Sequence, residues 1–147
     1  MTQIVLMIIL GAITIYNLLK YTDIIVRAKI SVSDIISLII ILVLIYITFN
    51  SILEHNILNY SLAVIFFLYT FSGILVRGYN KHGIYDFGKI SHIAKFTKWN
   101  QVDSIKFEYF AKDAIDVIFV TKIRAIRHRY DEKHENSIVK IKKELNV

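Results

Sequence analysis

Cysteine and proline are both missing from the 147 residues, and tryptophan occurs once. Without cysteine no disulfide framework is possible, so a stapled secreted mini-protein is excluded. Thiolate catalysis and Cys-based zinc or iron–sulfur sites are excluded with it. No G-x-G-x-x-G, P-loop, G-x-S-x-G or H-E-x-x-H pattern occurs, which removes the common signatures of nucleotide binding and hydrolysis. Charge is also missing, but only locally. Three stretches, about 3–19, 35–53 and 57–76, contain no Asp, Glu, Lys or Arg.

What fills those stretches is apolar. Hydrophobic residues make up 55% of the chain, above the usual share of about 45–50% for soluble domains, and intrinsic disorder is thereby excluded. About 20 helical residues cross a hydrocarbon core of about 30 Å, and the second and third stretches hold 19 and 20. A soluble domain of this length lacks the interior to hide three helices that are apolar all round. The first stretch is expected to be a retained helix and not a cleaved signal. No basic residue precedes it, while Lys20, Arg27 and Lys29 follow it.

Lys and Arg then set an expected orientation. The amino end has none, the connection 20–34 has three, the connection 54–56 has none, and the tail after residue 76 has fifteen. Three spans with the amino end outside and the tail inside satisfy all four counts. The first loop reads as a polar connector or a surface-lying segment, with Ser33-Asp34 as the helix cap. Asn17, Asn50 and Asn59 are polar residues near span ends, and no acid, Lys or Arg lies within a span. That argues against a self-contained pump or transporter.

The tail, 78–147, has a different composition. Gly78 to Gly83 reads as a turn. Strand candidates follow at 84–87, 93–99, 104–110, 115–121 and 123–130. Residues Ile138, Ile141 and Leu145 then form one stripe of an amphipathic helix, capped at Asp131 or Asn136-Ser137. The expected fold is a membrane α-helical anchor (1–77) plus a small α+β domain of antiparallel strands closed by that helix.

One local pattern adds to this reading. It runs Gly83-Ile84, then Gly88-Lys89, then Lys98-Trp99-Asn100-Gln101-Val102 before the next strand. It resembles the glycine–aliphatic, glycine, K-W-x-x-[IV] signature of bacterial pleckstrin-homology-like (PH-like) membrane proteins, over residues 83–147. The resemblance implies a PH-like domain in which Gly83, Gly88, Lys98, Trp99 and Val102 are structural. A full PH barrel has seven strands and a helix, and five strands are placed here, so either 78–87 hides a hairpin or the domain is a trimmed version. The resemblance also implies a small component of a bacteriocin-immunity, secretion or envelope-stress system, seated in the bacterial cytoplasmic membrane.

Few residues point to chemistry. His55, His82, His92, His128 and His134 do not converge by spacing, and His128, Asp131 and His134 read as solvated residues at a strand–helix junction. No metal or cofactor is expected. Asp113 and Asp116 lie in or beside a turn, where exposure is the default, so no enzyme is expected. The basic residues are more informative. On one strand Arg127 and Arg129 share a face with Ala125, about 7 Å apart at a rise of about 3.3 Å per residue. With Arg77 and Lys81 at the membrane exit, and Arg124 on the same segment, they could hold anionic lipid headgroups. The alternative is an edge strand protected from aggregation by charge. Acids at 131, 132 and 135 follow directly, so nucleic acid is not an expected partner. The functional expectation is a non-catalytic, membrane-tethered binding or accessory protein. It would engage lipid, a membrane or cytosolic protein, or a membrane-active peptide. A small subunit of a transporter or channel is the second reading.

Overall fold

The computed structural model describes residues 2–51, 56–87, 93–111 and 113–145, without the side chains of 49–51, 110, 111 and 145. Gly88, Lys89, His55 and His92, and the side chains of Asn50 and Leu145, therefore lie outside the described residues.

Three helices carry the apolar runs: α1 (Thr2–Thr22), α2 (Val32–Ser51) and α3 (Ile57–Leu75). Of these, α1 and α3 are long and apolar enough to cross a membrane, and the described apolar run of α2 covers Val32–Thr48. Only 11% of the apolar window of α1 and 28% of that of α3 is buried within the chain. Their apolar side chains thus face outward, unlike those of a soluble core helix. Two polar pairs link α1 to α3. Gln3 Nε2 donates to Asn59 Oδ1 at 2.9 Å, and Asn17 Nδ2 donates to Ser72 Oγ at 3.0 Å. Asn17 also accepts from the backbone N–H of Ala94 at 2.9 Å, which ties the helices to the strand region.

Among the described residues seven strands form two antiparallel sheets. β1 (Val26–Arg27), β2 (Gly78–Asn80), β3 (Gly83–Phe87) and β4 (Ala94–Lys98) make the first, in sequential order. β5 (Val102–Ala111), β6 (Ala114–Thr121) and β7 (Ala125–Asp131) make the second, with β6 central. α4 (Glu135–Leu145) follows, and its Ile138 is fully buried in a shared core with Tyr79, Ile84, Trp99, Ile105, Val117, Phe119 and Tyr130. The molecule is thus an α+β fold.

β1 is not expected from the sequence, and β2 with β3 forms the hairpin that 78–87 was open to hide. β1 comes from the connection between α1 and α2, pairing Val26 with Tyr79 and Arg27 with Gly78. The whole α2–α3 hairpin is therefore inserted between two paired strands. β2 replaces the expected turn at 78–80. The turn itself lies one step later, where Asn80 Oδ1 accepts from the N–H groups of His82 and Gly83 at 2.8 and 3.1 Å. Lys29 N–H donates to the carbonyl of Arg129 at 2.6 Å, so the segment after β1 also reaches the edge of β7 and bridges the two sheets.

Helix caps differ as well. Ser31, not Ser33, caps α2. Its Oγ accepts from the Asp34 N–H at 3.3 Å while its own N–H donates to Asp34 Oδ2 at 2.7 Å, a reciprocal cap of the S-x-x-D type, and its hydroxyl also donates to Oδ2 at 2.6 Å. A short 3₁₀ turn (Glu132–His134) precedes α4, and Asn136 and Ser137 lie inside that helix. Asp131 makes no side-chain cap and pairs with Lys29 instead.

Candidate functional site

β7 alternates strictly. Ile126, His128 and Tyr130 are buried, while Ala125, Arg127 and Arg129 face the other side. In the β6–β7 register Asp116 lies opposite Arg129. Arg129 closes a two-point fork on it, Nε to Oδ1 at 2.6 Å and Nη2 to Oδ2 at 3.0 Å. Arg127, two residues back, donates Nε to Asp116 Oδ2 at 3.2 Å and pairs with Glu108 of β5. The hydrogen bond from Arg129 is the main reason that the Asp116 carboxyl sits below the ordinary carboxylate range, against the opposing effect of burial.

That arginine face forms one wall of a cleft of about 390 Å³. Ser31 and Ser33 from the first turn of α2, Arg77 just after α3, and Lys29 complete the lining. The two serine hydroxyls are 2.8 Å apart. Arg77 pairs with Asp34, donates Nε to the carbonyl of Ile74 at 3.2 Å, and lies with Cζ 5.3 Å from the Phe87 ring centroid. Lys29 pairs with Asp131.

The guanidiniums do not reach out alone. Arg77, Arg127, Arg129 and Lys29 are all matched to carboxylates, namely Asp34, Glu108, Asp116 and Asp131. Asp116, expected to be exposed beside a turn, is buried in the central strand. Two of the five basic residues singled out lie elsewhere. Arg124 donates Nη1 to Asp86 Oδ2 at 3.0 Å. Lys81 lies in the β2–β3 turn and lines a separate groove with Trp99 and Lys140. Lys29, Ser31 and Ser33 were missed, because only the fold brings residues 29–33 against a strand almost 100 positions later.

A second polar group is internal. His128 is fully buried, not solvated. Its Nδ1 lies 3.0 Å from the Tyr130 hydroxyl and its Nε2 lies 3.3 Å from Asp86 Oδ1. Burial is the largest influence on His128 and pushes its pKa below the ordinary 6.5, so the ring is neutral. A neutral ring with its proton on Nε2 donates to Asp86 and accepts from Tyr130, which satisfies all three groups. For Asp86, burial acts to raise the pKa, but the contacts with His128 and Arg124 outweigh it and hold the carboxyl low. The alternation with Ile126 and Tyr130 was the available signal for this burial.

Of the residues the PH-like resemblance gives as structural, Gly83, Lys98, Trp99 and Val102 are described. Trp99 Nε1 donates to the carbonyl of Asn80 at 3.0 Å, and its ring meets Tyr79 and Phe119 edge-on. Val102 is buried in the same core. Lys98 is exposed at the end of β4, leading into the short turn that bears Trp99. Gly83 packs so closely that a Cβ would lie 2.2 Å from the carbonyl oxygen of Thr97. Among the described residues no group of three or more His, Cys, Asp or Glu could hold a metal ion.

Comparison of the chain with protein families, with curated proteins and with solved structures gives no match.

Proposed function

We propose that this chain is a three-span protein of the bacterial cytoplasmic membrane. In this reading its PH-like domain is cytosolic and acts as a non-catalytic, tethered binding or accessory module. One observation carries the reading. The α2–α3 hairpin leaves the first sheet after β1 and re-enters it at β2, so the strand domain is anchored at both ends of an apolar helical pair. Whatever the domain binds is then held at the bilayer surface. Four strands, three strands and a C-terminal helix agree in number with a PH-like domain, with β1 and β2 contributed from outside the 83–147 of the resemblance. α2, at 20 residues, supports a third span.

The partners proposed are membrane lipids and either another protein or a membrane-active peptide, as in bacteriocin immunity or envelope stress; nucleic acid is not among them. The Gln3–Asn59 and Asn17–Ser72 pairs face each other between α1 and α3, and they favour a second reading as a small transporter or channel subunit. Hydrogen-bonded polar pairs of this kind also serve as helix glue, so tethered binding remains the first reading.

Reporter fusions after Glu54 and after Val147 test the topology: opposite sides are expected, and the same side for both would refute the hairpin. In-cell photo-crosslinking from position 127, with deletion strains challenged by a panel of membrane-active peptides, tests the role. Unchanged sensitivity across the panel removes the immunity reading.

A further inference from the structure

We propose that the cleft between the first turn of α2 and the arginine face of β7 is a binding site for a phosphate group, presented by a phospholipid headgroup or as the free ion. The proposal deepens the tethered-binding reading and rests on it. The cleft volume, about 390 Å³, falls within the range of small-ligand sites, roughly 300–1,000 Å³.

Its charge is layered. The carboxylates of Asp116 and Asp34 lie beneath, with side chains 5% and 10% exposed, while Arg127 above them is 53% exposed and Lys29 is 39% exposed. A ligand therefore meets the N–H groups of Arg127 and Lys29 beside their partners Glu108 and Asp131, whose side chains are 50% and 38% exposed. Each buried acid holds a guanidinium in one pose, so little conformational freedom is lost when an anion docks. A guanidinium carries five N–H donors. Arg127 gives Nε and Nη2 to carboxylates, and its remaining donors are available for phosphate oxygens. Planar guanidiniums match phosphate with parallel hydrogen bonds. On the opposite wall the Ser31 hydroxyl gives its proton to Asp34, and the exposed Ser33 hydroxyl, 2.8 Å from it, can turn its own proton to a bound oxygen. The lining residues Ser31 and Ser33 open one apolar helix, and Arg77 lies two residues beyond the end of another. In a membrane-spanning chain that is the depth of lipid phosphates.

Because the acids balance the bases, recognition here is by donor geometry and not by net charge. This separates the site from a polybasic patch, which attracts any anionic surface through its field.

The test uses the purified full chain in uncharged detergent, with binding followed by calorimetry. The probes are dioctanoyl phosphatidylglycerol, inorganic phosphate and dioctanoylglycerol, which lacks phosphate. Saturable binding of the phospholipid, at least tenfold weaker in an Arg127→Gln, Ser33→Ala double variant, is the expected result. Inorganic phosphate binding as tightly, with the same loss in the variant, assigns the free ion as the source. Equal binding of dioctanoylglycerol, absence of binding by both phosphate probes, or an unchanged affinity in the variant overturns the proposal. The variant leaves the Arg129–Asp116 fork in place, and unchanged emission of Trp99 reports its fold. A Lys140→Gln change in the separate groove should leave binding intact. Alkaline carbonate extraction of native membranes tests the underlying reading by itself: release of the wild-type chain defeats the tether, whatever the cleft binds.

Discussion

Arg129 and Asp116 face each other across the β6–β7 ladder and close a two-point fork over a carboxylate that is almost wholly buried. Removing one partner of a buried pair costs more than the pair contributes, because the other charge is left without compensation. Asp116→Ala is therefore expected to destabilise the fold by about 2–3 kcal/mol. Arg127→Ala should cost under about 1 kcal/mol, since that side chain is half exposed. Denaturant unfolding of the full chain, followed by emission of the single tryptophan, checks both. Equal effects would show that the fork is not the stronger contact.

Acid should weaken the domain in two steps. Burial keeps His128 neutral in the fold, with its pKa below the 6.5 of a free ring. The unfolded chain then binds a proton that the folded chain refuses. The stability contribution is present above about 6.5 and is lost as pH falls toward the lower folded value. Asp86, also held below its ordinary value of 3.8, adds a second loss below that pH. His128→Gln should flatten the upper step and leave the lower one. An unfolding midpoint measured from pH 7.5 to 2 decides this, and an unchanged slope in the variant above pH 4 would assign the upper step to another group.

Tyr130→Phe probes the same group from its other side. The hydroxyl is the donor to Nδ1 of a fully buried ring, and its loss leaves that nitrogen without its partner. A cost of about 1–3 kcal/mol is expected. It should appear at pH 7 in the same unfolding assay. No loss there would show that the hydroxyl is not the partner of the buried ring.

Gly83 is set by contact and not by turn geometry. An added Cβ would lie 2.2 Å from the Thr97 carbonyl oxygen and 2.8 Å from the Phe96 ring. The neighbour is backbone in a paired strand and cannot step aside. Gly83→Ala should cost about 1–3 kcal/mol as overpacking, with loss of hydrogen-exchange protection in β3 and β4. Unchanged protection would mean that the two strands are farther apart than described.

The helices, β5 to β7 and the two faces of β7 could be read from periodicity, since each is long enough to repeat its pattern. β1 could not. Two residues hold no period, and their partners lie across 44 residues of helical hairpin and its connection, counting 32–75. β2 reads as a turn because Gly78, Tyr79 and Asn80 are turn-forming residues or sit among them. The basic cluster was visible, but its neutralisation was not. Which acid stands opposite which arginine is a matter of register, and register is a property of two strands and a bend. Asp116 was misplaced for the same reason: a carboxylate in an apolar strand looks exposed until its cross-strand partners are known.

The insertion of α2–α3 between β1 and β2 also fixes an order of events in biogenesis. Val26 leaves the ribosome 53 positions ahead of its partner Tyr79 (79 minus 26), about 3–10 s at ordinary synthesis rates of about 5–20 residues per second. Throughout that interval the first strand has nothing to pair with. Only when the apolar hairpin has folded back on itself do its two ends come together and bring β1 to β2. Completion of the strand domain thus reports that the hairpin has closed, and a hairpin that fails to close leaves an open sheet edge as its signature.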